Sequence, residues 1–439
     1  MRNVTAITRA GAAGGLALLA AAGCGTATNT HTHSSERITA TPSASPSPSA
    51  GGTGLAQSPS RPAGGTSTCQ GAGSTQVQRA GAVEGVPALD AVQFVSATRG
   101  WAAGAGRILA TSDGGRTWQR QYDGPAKLYQ ADFADASHGW AVGTSALLST
   151  SDGGRTWAAL PEPCGLIQSV HFVSPSRGYA VGGAPAVRTD AGIPVAVGGD
   201  GGTSSGTGGG QLLATTDGGR TWNAVSGAPA QVQSACFTGS SAGYLGTPGR
   251  VWRSTDGGAR WSVAFTEPPA AKHQSGSPPD ATALECAGSS AAWTLFLGTG
   301  AALGHEPYLA YATPDGRAWH ALFEETYTES AIRPEVHAPD GPGSYPGPFS
   351  AISADSAAYV GWTPPEGFGA APLDLVTGTR LARQGNVSGM TQPYAAAFVS
   401  TTKGWVVGAD QTSPGQAGRD VIEYTANGGR TWTRQYTVP

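Results

Sequence analysis

The octapeptide Thr-Ser-Asp-Gly-Gly-Arg-Thr-Trp stands at 111–118 and recurs unchanged at 150–157. Variants of it follow at 215–222, 254–261, 313–319 and 425–432. Asp113 to Asp152 is 39 residues, and Asp217 to Asp256 repeats that spacing. A unit repeating at this interval cannot bury its apolar face alone, so it must stack against copies of itself. A second signal precedes each box: Val-Gln-Phe-Val-Ser-Ala-Thr-Arg-Gly-Trp-Ala-Ala-Gly at 92–104, then Ala-Asp-Phe-Ala-Asp-Ala-Ser-His-Gly-Trp-Ala-Val-Gly at 131–143. Related stretches lie at 170–182, 235–246, 284–296, 350–361 and 396–408. The second signal therefore occurs seven times and the box six, the sixth unit carrying Val376-Thr377-Gly378-Thr379 where a box belongs.

Each unit reads as four short strands, A to D. In the first unit, A ends near Phe94, B is Trp101–Gly104, C is Ile108–Thr111, and D begins at Trp118. Short apolar or β-branched runs at even spacing with turn residues between them indicate an all-β chain. No stretch of 85–439 sustains a helical period. Seven units of four strands predict a seven-bladed β-propeller of four-stranded blades over 89–439, with the boxes as hairpins between strands C and D. In such a hairpin the Asp carboxylate accepts backbone N–H groups, the glycines take positive φ, and the closing Trp offers an apolar face. Asp113, Asp152, Asp217, Asp256, Asp315 and Asn427, with Trp118, Trp157, Trp222, Trp261, Trp319 and Trp432, are accordingly read as structural. A catalytic group would not be needed six times.

The remainder of the chain describes an exported protein. Arg2 and Arg9 precede an apolar run at 10–22 that ends Ala21-Ala22-Gly23-Cys24. A basic start, a short apolar stretch and small residues form an export signal over 1–23, too short to span a bilayer. The sequence before Cys24 resembles a lipobox, which would lipidate that cysteine, although Ala21 stands where Leu is usual. Residues 24–68 are almost wholly Ser, Thr, Pro, Gly and Ala, a composition that reads as a disordered linker, and 69–88 lead into the propeller. Export makes disulfides possible. Four cysteines remain, allowing three connectivities, and the adjacency of consecutive A strands favours Cys236 with Cys286, leaving Cys69 with Cys164. With net charge −3 and only 13% charged residues, the chain has no basic stripe for nucleic acid. No cofactor or metal motif occurs; His31 and His33 sit alone in the linker, and the glycine run 198–210 lacks the Lys-Ser/Thr and helix of a phosphate loop.

With its boxes and its Phe-x-x-x-x-x-Gly-Trp-x-x-Gly signal, the chain resembles the BNR, or Asp-box, propellers over roughly 89–439. Within them it looks most like the photosystem II assembly/stability factor-like branch. That resemblance implies a propeller and a non-enzymatic, binding role. Asp boxes also occur in sialidases, which need an arginine triad with an Arg-Ile-Pro-like motif ahead of the first box. Here Arg79, Arg99 and Arg107 lack that context, and Ile332-Arg333-Pro334 comes far too late.

Loop length carries the remaining signal. Extra residues enter between B and C at 183–210, 297–307, 363–372 and 409–419, and between D and the next A at 264–281 and 322–347. In a propeller these connections share one face, and binding residues favour such loops on a rigid scaffold. The stretch 320–347 is the densest in chemistry. Glu324, Glu325 and Glu335 are candidate catalytic carboxylates for glycoside cleavage; Tyr327, Glu329, Arg333 and His337, with Trp362 beyond them, are candidate binding residues. The expectation is a monomeric extracytoplasmic propeller, tethered to the outer face of the cell membrane as a lipoprotein or else cleaved and secreted, binding a protein or an envelope glycan through the inserted loops of blades 3 to 7. A glycosidase acting through 320–347 and a purely structural envelope protein are the alternatives.

Overall fold

The computed structural model describes residues 89–161, 167–182, 186–188, 194–196, 210–268, 281–298, 308–325, 338–363, 371–410 and 418–439. These residues form an all-β propeller. The first sheet holds six strands in the order β1-β2-β3-β4-β5-β6: Ala91–Phe94, Gly100–Thr111, Gln119–Phe133, Gly139–Thr144, Ala146–Thr150 and Ala158–Ala159. The second holds β7 (Ile167–Phe172), β8 (Gly178–Gly182), β11 (Gln211–Thr215) and β12 (Asn223–Ala224); its B–C insertion contributes a two-stranded ribbon, β9 (Ala186–Arg188) with β10 (Pro194–Ala196). Four more four-stranded sheets follow in chain order. They are β13–β16 (Ser234–Phe237, Gly243–Thr247, Arg250–Ser254, Ser262–Thr266), β17–β20 (Ala281–Ala287, Ala291–Leu297, Tyr308–Thr313, His320–Glu325), β21–β24 (Phe349–Ala351, Ser356–Val360, Pro372–Thr377, Arg380–Asn386) and β25–β28 (Gln392–Phe398, Gly404–Asp410, Arg419–Thr425, Thr433–Thr437).

The expected seven four-stranded blades are thus corrected to six blades, because the first two sequence units share one sheet. The cause is local. Strands B and C of the first unit run on as β2, and its strand D runs on into the next strand A as β3, with register shifts at Ala105/Arg107 absorbing the bend. Gly106 makes this possible at φ +76, where an added Cβ would lie 2.1 Å from the Gly124 carbonyl oxygen. No other residue fits there.

The second signal is explained by packing between units. Phe133 of β3 lies so close over Gly139 that a Cβ on that glycine would fall 2.3 Å from the ring. The Trp of one unit then stacks on the Phe of the next: Trp101 on Phe133 at 3.5 Å and 9°, Trp140 on Phe172 at 3.3 Å and 1°, and Tyr179 on Phe237 at 3.4 Å and 5°. The box Trp closes the other side edge-on, as Trp157 does against Phe133 at 5.9 Å and 90°. The ring ends meet by the same device, Trp405 lying 3.5 Å from Phe94. These sandwiches are the inter-unit cores, since aromatic pairs of this kind add to the burial of their large apolar area.

The boxes tie each unit to itself and to its predecessor. Asp113 accepts the Thr117 N–H at 2.9 Å and the Thr117 hydroxyl at 2.7 Å, while the Gly115 N–H donates to Thr111 Oγ1 at 2.8 Å. The Gly114 N–H reaches the A–B turn at the Thr98 carbonyl, 2.9 Å away, which puts box and A–B turn on one face. From the preceding unit, the Trp101 indole donates to Gly153 O at 3.2 Å and the Trp140 indole to Gly218 O at 2.9 Å. Hydrogen bonds from Thr117 hold the Asp113 carboxyl down at about 2, and those from Thr156 do the same for Asp152.

Candidate functional site: the axial channel and the insertion-bearing end

A propeller brings the inner edges of its first strands around one axis, and each such edge is an unpaired row of N–H and C=O groups. Here they enclose a channel of about 430 Å³, lined by segments from all seven sequence units. The edges are capped from strand to strand by the residue just before the Phe position. Gln93 Oε1 accepts the Phe133 N–H at 2.6 Å, and Asp132 Oδ2 accepts the Phe172 N–H at 2.6 Å. His171 Nε2 reaches Phe237 O at 2.9 Å, and Glu285 Oε2 accepts the Ala351 N–H at 2.6 Å. Ser350 Oγ, just before Ala351 at the Phe position, accepts the Phe398 N–H at 3.0 Å. Between β13 and β17 the same belt is covalent: Cys236 is disulfide-bonded to Cys286.

The belt sets the electrostatics of the channel. Burial pushes the Glu285 carboxyl up to about 7, against the lowering effect of the Ala351 N–H. Burial also raises Asp132, opposed by the neighbouring His171 and the Phe172 N–H. Each of these carboxylates is occupied in holding the next strand, which is a structural duty. The sequence reading missed this belt, although its signal was present as the polar residue in Val-Gln-Phe, Ala-Asp-Phe, Val-His-Phe and Leu-Glu-Cys.

The strand register places the insertions at one end of the ring. In the β17–β20 sheet Ala281 pairs with Leu297, Leu297 with Tyr308, and Tyr308 with Glu325, so the insertions after 266, 297 and 325 leave from the same edge. Gly182↔Gln211, Val360↔Leu373 and Asp410↔Arg419 put the remaining insertions at that end as well. The ribbon strand β10 lies against β7 and β17, first strands of two different sheets.

The structure corrects the picture of 320–347 as one loop. His320–Glu325 is strand β20, and Glu324 and Glu325 are consecutive on it, so their side chains leave on opposite faces. They do not form an acid pair. Glu324 exchanges backbone bonds with the segment around Asp340, its N–H donating to Pro339 O at 3.0 Å and its carbonyl accepting from Gly341 at 3.1 Å. Burial lifts Tyr311 to about 12, and the charges of Glu324 and Glu267 add to it. Glu325 acts on Tyr308, whose hydroxyl donates to Gly343 O at 2.8 Å and is raised well above its usual range, chiefly by burial. Nearby, Arg383 bridges the buried Asp374 (3.2 Å) to the Gly341 carbonyl (2.8 Å). Trp362 packs against Tyr345 at 5.1 Å, and their backbones bond each other. Tyr327, Glu329, Arg333, Glu335 and His337 lie outside the described residues, as do Cys24, Cys69 and Cys164. Among the described residues no His/Cys/Asp/Glu group could hold a metal ion, and no helix is long and apolar enough to cross a membrane.

The sequence matches no family model and no curated protein. Solved structures are similar in fold. One is YCF48 bound to a D1 peptide, at 15% identity over 78% of this chain and 94% of that one, with a TM-score of 0.46. YCF48 from Cyanidioschyzon merolae is 15% identical over 79% and 84% of the two chains, with a TM-score of 0.34. The GH74 xyloglucanase from Xanthomonas campestris is 15% identical over 79% of this chain and 60% of its own, with a TM-score of 0.40. Such neighbours include a non-enzymatic propeller and enzymatic ones, and at this level of superposition they carry no argument about what this chain binds.

Proposed function

We propose that this chain is an exported, membrane-tethered propeller that binds a protein or an envelope glycan, without catalysis, through the end of the ring that bears its insertions. The observation that carries the reading is the register: every sizeable insertion departs from one end of the sheets, while the other end is fixed by repeated box-to-turn bonds. Variable loops on a rigid, self-tied scaffold suit recognition. The carboxylates support the non-catalytic side, since Glu324 and Glu325 diverge on β20 and Asp132 and Glu285 are consumed in capping strand edges. Export and lipid attachment at Cys24 enter from the sequence pattern before the propeller.

The test is a binding and turnover panel. The mature chain, and a variant with 326–337 replaced by a Gly-Ser linker of equal length, are titrated with purified envelope polysaccharides and with envelope proteins, and incubated with fluorogenic glycosides. The reading expects at least one saturable partner, weakened about tenfold or more in the variant, and no glycoside turnover. Turnover that falls on Glu324→Gln or Glu325→Gln would overturn it, and so would binding indifferent to the replaced segment.

A further inference from the structure

On the box-bearing face the axial channel opens into a second cavity of about 590 Å³, set between the A–B turns of the first, sixth and seventh units. Val95, Ile352, Phe398 and Val399 give it apolar walls; Ser96, Ser400 and Lys403 give it a polar rim. Two departures from the repeat create it. The sixth unit has Ala351 where other units carry Phe, paired with Ala357 as Phe94 is with Gly100, and Ala358 at the Trp position. Tyr359, one residue on, lies on Phe349 of its own sheet (5.3 Å, 9°), where the ring of Tyr179 reaches forward to the Phe of the next sheet. The space that ring would have filled on Phe398 is left to the cavity.

The second departure concerns charge. Arg99, His138, Arg177 and Lys403 occupy one repeat position, just before the Gly-aromatic pair. Arg99 donates to Gly153 O at 2.9 Å and lies over its own Trp101 at 5.0 Å. Arg177 donates to the Tyr179 hydroxyl at 2.9 Å and to Gly257 O at 3.3 Å. His138 is paired with Asp135 at 2.9 Å. At the seam the corresponding carbonyl, Gly114 O, is taken by Gln435 Nε2 at 3.0 Å, and Gln435 Oε1 takes the Trp405 indole at 3.0 Å. Lys403, unlike Arg99 and Arg177, takes no box carbonyl. The Lys403 ammonium is exposed and, among the described residues, has no partner.

We propose that this pocket binds a small monocarboxylate with a compact apolar body, the Lys403 ammonium taking the carboxylate while Val95, Ile352, Phe398 and Val399 receive the body. An open recess that sets a few apolar side chains beside a polar rim with one placed charge selects on both features at once. The site lies on the face opposite the insertions and stands whether or not that end binds a partner.

The test titrates the full chain with 3-phenylpropionate and, separately, with 3-phenylpropanamide, which keeps the body and removes the charge. Both are followed by calorimetry at low ionic strength, where an exposed charge pair is screened least. Saturable 1:1 binding of the acid is expected, with the amide about fivefold weaker, the gain one exposed ion pair supplies at most. Lys403→Gln should lower the acid to the amide's affinity and leave the amide unchanged, and Lys403→Arg should stay within about twofold of the wild type. Filling the cavity with Ile352→Trp should abolish binding of both, in a protein whose melting temperature shows it folded. No saturable binding of the acid, equal affinity for acid and amide, or indifference to Lys403→Gln would each overturn the proposal.

Discussion

Trp405 lies flat on Phe94, ring centroids 3.5 Å apart and 9° from parallel, and so joins the last unit of the chain to the first. The contact repeats the Trp101–Phe133 and Trp140–Phe172 stacks, which join sequence neighbours. Around it, the Leu89 N–H donates to Asp420 at 2.8 Å and Gln435 reaches Gly114. Ring closure therefore rests on this sandwich, on the buried apolar cluster around it that joins Leu89, Val92 and Leu109 to Val407 and Ile422, and on a few hydrogen bonds, with no strand exchanged between the ends among the described residues.

Trp405→Ala should cost about 3–5 kcal/mol in chemical denaturation, the usual range for a large buried aromatic. Its signature should be spatial as well. Hydrogen exchange should rise first in β1 and β28, at the seam, whereas Trp101→Ala should raise it between the first two units.

The glycine before the aromatic is a packing requirement tied to the Phe above it. Gly139→Ala places a methyl 2.3 Å from the Phe133 ring and should destabilise by about 1–3 kcal/mol. Two units lack the Phe, and both also lack the glycine: Cys286 pairs with Ala292, and Ala351 with Ala357. Ala292→Gly should therefore cost only about 0.5–1 kcal/mol, the entropic penalty of glycine in a strand. Equal effects in the thermal melts of the two variants would show that the pairing is coincidental.

The Cys236–Cys286 bridge stands where a Phe would otherwise stack on Tyr244, and it closes a separation of 50 residues. Cys236→Ala with Cys286→Ala should lose about 2–4 kcal/mol. Cys236→Ala with Cys286→Phe and Ala292→Gly restores the repeat's own pattern and should recover a measurable part of that loss. A triple variant no more stable than the double would show that Tyr244 cannot accept the stack.

The channel belt predicts a pH dependence of stability with a definite sign. Glu285 titrates at about 7 in the folded chain against 4.5 for an ordinary glutamate, so the folded state holds its proton more tightly. Its contribution is complete below about pH 4.5 and is lost as pH rises through 7, amounting to about 3 kcal/mol at most. Glu285→Gln should flatten the denaturation midpoint between pH 5 and 8. The box carboxylates work in the opposite direction. Asp113 and Asp152, held down at about 2, stabilise above about pH 4, and their effect fades as pH falls toward 2.

The fold was legible because its devices repeat. Box, Phe, Gly and Trp recur with fixed spacing, and each recurrence is one copy of the same packing problem. The blade count was not legible. Seven units were visible, yet whether Gly106 and the Asp123–Ala126 link end a strand or let it run on depends on backbone geometry that no residue type announces. Glu324 and Glu325 looked like loop carboxylates because acidic residues are uncommon in strands; β20 carries them at its insertion-bearing end, where one leaves each face. The channel belt was hidden for the opposite reason. Gln, Asp, His, Cys and Glu share no type, only the geometric task of reaching the next strand.

The central claim is that recognition happens at the insertion-bearing end while the box face holds the ring together. Hydrogen exchange on the mature chain, with and without saturating purified envelope polysaccharide or the envelope protein found to bind it, tests this directly. Protection is predicted at the strand ends that flank the insertions, 308–311, 371–374 and 418–421, with 111–118 and 150–157 unchanged. Protection centred on the boxes, with those strand ends unaffected, would contradict the account.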